Sequence, residues 1–147
     1  MSTLSTVQSA LDTKLQELVT SNSLACVLFG RRFDFTGFPS ARYYLDGIEN
    51  QLLSAGGAAA ADYLRTVRFR IDVVQERSEK SPQQAETDLL TAVEATLAKL
   101  EDNWALGSAQ DCLLAPFSST VLEQQTATGI LLIVPIFAAP RLFTSYT

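Results

Sequence analysis

Histidine is absent from this chain, and its absence limits the chemistry the side chains could do. There is no Ser-His or Cys-His nucleophile pair, and the commonest general base and metal ligand is missing. Proton transfer would fall to carboxylates and amines. Carboxylates come close in sequence at Glu76 and Glu79, Glu86 and Asp88, and Glu101 and Asp102. Such clusters near helix ends are usually solvated surface, and Glu86 with Asp88 also complements a helix dipole. Lys14, Lys80 and Lys99 fall on predicted helix faces or a loop, placed for solvent. Gly56-Gly57 lacks the lysine and helix start of a phosphate-binding loop. Cys26 and Cys112 are the two cysteines; both sit in apolar runs, read as small core hydrophobes and make no zinc site. A disulfide has no support, and a reducing compartment is expected. The reading is of a protein that is not an enzyme and holds no cofactor or metal.

Arginine beside aromatic residues is a stronger signal. In RRFDFTGFP, Arg31 and Arg32 precede Phe33, Phe35 and Phe38, the composition of interface hot spots. Two readings stand: a presented surface, or phenylalanines that close the sheet edge under solvated arginines. They can combine, with Phe38 buried and the rest presented. Along the segment from Tyr63, Arg65, Val67, Phe69, Ile71 and Val73 share one face of a strand, and Thr66, Arg68, Arg70 and Asp72 the other. Arg65, Arg68, Arg70 and Arg77 are either the solvated face of a half-buried sheet or an inter-subunit seam facing a neighbour's acidic helix. The C-terminal PRLFTSYT, with Arg141, Phe143 and Tyr146, is either a docking arm or a frayed end.

The elements that must position these residues follow from periodicity. Leu4, Val7, Leu11, Leu15 and Leu18 make an amphipathic helix ended by Ser21-Asn22-Ser23. Ala25 to Phe29 reads as a short buried strand and Gly30 to Pro39 as a loop. A strand begins at Ala41, is disturbed at Asp46-Gly47 and resumes through Leu53. SAGGAAAAD, residues 54 to 62, is the tip of a long hairpin whose return strand would extend over roughly 40 Å or more. Ser81-Pro82-Gln83-Gln84 predicts a capped helix start with a capping box. The stripe Ala85, Leu89, Val93, Leu97, Leu100 and Trp104 continues that helix, with Gly107 just past its end. Leu113 to Leu122 reads as a strand broken or started by Pro116, and Thr128 to Val134 as a central strand. Pro135 marks a bulge, an edge or that strand's end. The order predicts an α+β fold, a mostly antiparallel sheet with a long β-hairpin packed against two amphipathic helices. The 147 residues fit one domain, residues 1–147.

The formal net charge is −5, with arginines concentrated before residue 78 and acids from 79 to 123. That argues against a dedicated nucleic-acid binder and suits two partners of different charge. The N-terminus has no signal-peptide layout. The run from Ala127 to Ala139 is too short to span a bilayer. No membrane association is expected.

The sequence of an N-terminal amphipathic helix, a short strand, RRFDFTGFPSARYYLDG, a hairpin ending in YLRTVRFRIDVVQE, the capped helix SPQQAETDLLTAVEATLAKL and terminal strands resembles the tail terminator proteins of long-tailed bacteriophages, also described as tail completion or head-to-tail joining proteins. The likeness is one of pattern and length over almost the whole chain. It implies a small α+β subunit that assembles with itself as a hexameric ring on the head-proximal end of the tail tube. Such a ring ends tube polymerisation and offers a surface to the head connector. The implied partners are further copies of the chain, the major tail tube protein and a head completion or connector protein. The implied location is the virion neck, after assembly in the host cytoplasm. Neighbouring possibilities are a head completion or stopper protein at the same junction, and, from another class, a small intracellular ligand-binding or hydrolase domain. Candidate interface residues rest on residue type and placement: Arg31, Arg32, Phe33, Phe35, Arg65, Arg68, Arg70, Arg77, Arg141, Phe143 and Tyr146.

Overall fold

A computed structural model describes residues 4–56, 60–101, 111–114 and 121–146. Helix α1 (Leu4–Thr20) leads to β1 (Val27–Phe29), the long hairpin strands β2 (Ser40–Gly56) and β3 (Ala60–Glu76), and helix α2 (Pro82–Glu101). Strands β4 (Asp111–Leu114), β5 (Leu122–Thr126) and β6 (Gly129–Tyr146) follow. One sheet holds six strands in the order β1-β2-β3-β6-β4, with β5 also on β6. All described pairings are antiparallel except β1 with β2. The fold is α+β, as the element order predicts.

Both helices cover one face of the sheet. The α1 stripe Val7, Leu11, Leu15 and Leu18 and the α2 positions Ala85, Leu89, Ala92 and Leu100 are buried. They meet Val67, Phe69, Ile71 and Val73 of β3, and Leu132, Ile136, Ala138 and Leu142 of β6. This is the alternation expected of a strand with one face in the core. The helices lie side by side: Lys99 Nζ reaches Glu17 at 2.6 Å and Lys14 Nζ donates to the Lys99 carbonyl at 3.2 Å. Tyr43, fully buried, donates its hydroxyl to Asp12 Oδ1 at 2.6 Å and accepts from Gln8 Nε2 at 2.8 Å, tying α1 to β2. Burial pushes the phenol's pKa up, and the hydrogen bond to Asp12 adds to that.

Helix α1 stops for a reason visible in the sequence. Asn22 takes a left-handed φ of 64°, which asparagine tolerates better than most residues. The Ser23 N–H then bonds the Leu18 carbonyl at 2.9 Å and the Asn22 N–H that of Val19 at 3.1 Å, a Schellman end. At α2 the expected capping box does not form. Gln84 Nε2 donates forward to Asp88 Oδ1 at 2.8 Å, and the Ser81 N–H is taken by Ser78 Oγ at 3.1 Å. Trp104 and Gly107 lie outside the described residues.

Three further expectations change. The segment 113–122 is not one strand: β4 ends at Leu114 and β5 begins at Leu122, with Pro116 outside the described residues. Strand β5, LEQQT, is exposed almost throughout, so its backbone pairing with β6 leaves no apolar alternation to read. Strand β6 runs through Pro135 without a break, which removes the strand's end from the readings of that proline and leaves the edge. On its outer side the pairings with β5 stop at Ile133 and those with β4 start at Ala138, and Pro135 occupies that interval. The C-terminal segment is neither frayed nor a free arm, because β6 stays in register with β3 up to Tyr146, opposite Ala61.

The sheet outruns its cover. Strands β2 and β3 hold 17 residues each and β6 holds 18, so each extends over roughly 55 Å, against roughly 25 Å for the 17-residue α1. Beyond Val67 no described residue of the two hairpin strands is fully buried, although Leu142 of β6, opposite Arg65, still belongs to the core. Two register shifts, at Asp46 and at Leu53, bend the hairpin there. We expect Ile71→Ala to lower the unfolding free energy by about 2–5 kcal/mol and Ile48→Ala, on the uncovered part, by less than about 1 kcal/mol. Urea titrations followed by circular dichroism would check this; equal losses would mean that the distal hairpin belongs to the core.

Candidate subunit and partner interface

The face of the sheet away from the helices is built around a buried charge. Asp72, fully buried on β3, accepts from Arg42 Nε at 2.9 Å and Arg70 Nε at 2.8 Å. The desolvation cost of that carboxylate is offset only while both guanidinium groups stay in place. Arg42 in turn donates to the Arg32 carbonyl at 3.3 Å and lies 4.0 Å over the Phe33 ring. Arg31 sits 4.2 Å over Tyr44, and Arg68 lies 4.7 Å over Phe137 while pairing with Asp46 at 3.5 Å. Each is a cation–π placement within reach of the ring quadrupole. The result is a face of stacked arginines and rings held in fixed positions.

The loop 30–39 folds back over the basal part of this face. Phe35 and Phe38 pack on Val74, Leu131 and Ile133, a second small core. Gly30 opens the loop at a φ of 110°, a conformation that favours glycine. At Gly37 an added Cβ would stand 3.1 Å from that of Ala25, so the loop approaches the segment before β1 more closely than a side chain allows comfortably. Phe35 is therefore turned inward with Phe38, and Phe33 remains 37% exposed between Arg42 and solvent. Arg32 forms a two-pronged pair with Asp34 at 3.0 and 2.6 Å, and these bonds hold the Asp34 carboxyl below its usual range. Cys26 is half-buried, its Sγ 3.3 Å from Ser40 Oγ. Burial alone would raise the thiol, but hydrogen bonds with Ser40 and Thr36 bring it down overall. The side chain of Cys112 lies outside the described residues.

The arginines do not make a single seam. Arg68 and Arg70 share the face of Asp72, whereas Arg65 projects on the helix side and donates to Asn50 Oδ1 at 3.2 Å. Arg77 lies past the end of β3 and pairs with Glu123 at 3.6 Å. Arg141 and Phe143 stand opposite Thr66 and Leu64 on the Asp72 side, and Phe143 is 48% exposed. The side chain of Tyr146 lies outside the described residues.

Residue types alone passed over two features. One is the pair Arg42 and Asp72; the signal is an acid alternating with arginines on a strand that has one buried face. The other is exposed apolar surface. Leu45, Ile48, Leu52 and Leu53 of β2 stand out along the hairpin, and strand β1 pairs β2 only at residues 41–43. The rest of that edge, to Gly56, has no neighbour among the described residues. On the opposite flank, α2 and β5 enclose a groove of about 420 Å³ lined by Leu89, Leu90, Val93, Val121, Leu132 and Val134, with Glu86 and Glu123 as its charged members. Among the described residues no cluster of acidic or cysteine side chains could hold a metal ion, and no helix is long and apolar enough to cross a membrane. No family model matches this chain, and no curated protein matches it at a significant level.

Asp72→Asn is expected to cost about 3–5 kcal/mol, since it leaves two arginines facing a neutral group in a buried setting. Hydrogen exchange should then speed up at residues 31–38 more than in α1, because Arg42 is what anchors the loop. Unchanged loop protection would sever the link between the buried charge and the loop.

Proposed function

We propose that this chain is a non-catalytic structural protein of a bacteriophage virion, the tail terminator. In this reading it assembles with itself as a ring, most simply a hexamer, at the head-proximal end of the tail tube. It ends tube polymerisation there and joins the tail to the head connector. It is assembled in the host cytoplasm and resides at the virion neck.

One observation carries the reading: the hairpin strands are longer than the helices and, among the described residues, β2 beyond Tyr43 has an edge without a neighbour and large apolar side chains exposed. A lone subunit has no use for such a surface, and uncovered edges are normally blunted or occupied. An assembly that buries it in a neighbour accounts for its persistence. The two broad faces also differ in character, one with stacked arginines and rings, the other with Glu86, Asp88, Glu94 and Glu101 on α2. That difference suits unlike partners above and below a ring, the major tail tube protein and a head completion or connector protein. Resemblance in element order supplies the particular assembly.

Electron microscopy of lysates from a phage lacking the gene tests this. The expected result is filled heads beside abnormally long, headless tails. Unattached tails of normal length with heads that leak DNA would move the protein to the head side of the junction, as a completion or stopper protein. Intact, infectious particles would overturn the structural role.

A further inference from the structure

We propose that the apolar row on the hairpin and the groove between α2 and β5 are the two halves of one contact between successive copies of this chain. The proposal deepens the ring reading and rests on it. Leu45, Ile48 and Leu52 all point to the helix side of β2, in register with Phe69, Val67 and Tyr63, and are 44%, 51% and 53% exposed. They form a ridge that starts beside the buried Phe69 and Val67 and runs outward along the hairpin. The groove has the opposite shape and the same chemistry: it is concave, mainly apolar and bordered by Leu90, which is 63% exposed.

Charge agrees with this pairing. Among the paired hairpin residues beyond Leu45, the one charged side chain on the helix side is Arg65, and the groove's two charged members are Glu86 and Glu123. A second copy therefore brings Arg65 to Glu86, beside a Glu123 that Arg77 of its own chain already pairs, while burying leucine and isoleucine against leucine and valine. Position decides the symmetry. The ridge is on the β2 flank of the sheet and the groove on the β5 flank, with β3 and β6 between them. One copy can use both at once, which makes the contact head-to-tail and allows closure into a ring. A two-fold pair would need the ridge and the groove of each copy to face the same partner at once, and their places on opposite flanks of the sheet work against that.

Two exposed substitutions separate the halves: Ile48→Asp disables the ridge and Leu90→Asp the groove. Light scattering and native mass spectrometry of the purified full chain read the outcome, with thermal melts to verify folding. Each variant alone should self-associate at least about tenfold more weakly than wild type. An equimolar mixture should give a one-to-one dimer and nothing larger, since each chain keeps one working half. Arg65→Glu and Glu86→Arg offer the same test without touching apolar residues. Each should weaken assembly about two- to fivefold, and a chain carrying both should recover it.

Variants that assemble like wild type would overturn this contact and leave the ring reading standing on another surface. A mixture that stays monomeric while wild type assembles, or charge reversals without recovery, would show that the two halves do not meet. A wild type monomeric up to about 1 mM would overturn the self-contact itself, while the tail phenotype of the gene-deficient phage decides the ring reading separately.

Discussion

The carboxylate of Asp72 is the constraint on which the rest of the sheet's second face depends. A charge with no solvent exposure is tolerable only if it is paired and hydrogen-bonded, and here two arginines from neighbouring strands do both. Satisfying Asp72 fixes Arg42 and Arg70, and fixing Arg42 places the carbonyl of Arg32 and the ring of Phe33. The loop that begins with two arginines is thus held down by a third, from outside the loop. With the loop in place, Phe35 and Phe38 close a second small core. The basal half of the sheet is then covered on both faces.

The distal half is not, and that asymmetry is what the proposed function draws on. Helices of ordinary length sit on strands about twice as long. Among the described residues, Val67 is therefore the last fully buried residue of the hairpin strands, with Leu142 of β6 the last beside it, while strand pairing continues to Gly56 and Ala60. Backbone pairing alone carries the strands outward; the side chains they carry find no core of their own. Among the described residues, Leu45, Ile48 and Leu52 on one flank and the α2–β5 groove with Leu90 on the other are two of the places where apolar surface is left exposed. Their positions across the sheet make assembly of like copies the economical way to cover both.

Much of this was legible in the sequence because periodicity reports burial. The stripes of α1 and α2, the odd-numbered face of β3 and the bend at Asp46-Gly47 all follow from apolar spacing. The misreadings share a physical cause: the deciding interaction lies outside the local pattern. Strand β5 is held by backbone bonds at a solvated edge, so LEQQT carries no alternation. Pro135 is accommodated because the outer side of β6 changes partner there. The Ser81 N–H that Gln84 was expected to accept from is taken by Ser78, and the Gln84 amide donates to Asp88. Phe35 and the terminal PRLFTSYT were assigned by residue type, and their actual neighbours, Val74 with Ile133 and the hairpin strand β3, come from elsewhere in the chain. The arginines were grouped by residue type and strand alternation; their division between two faces and the buried partner Asp72 needed the fold.

The most direct test of the central claim is to add the purified protein to the major tail tube protein of the same phage as it polymerises, and to measure tube lengths by electron microscopy. Arrest of growth, with shorter tubes that carry a ring of extra density at one end only, is the predicted result. Tubes of unchanged length with bare ends would contradict the account, because a protein that does not occupy the growing end cannot be what stops it.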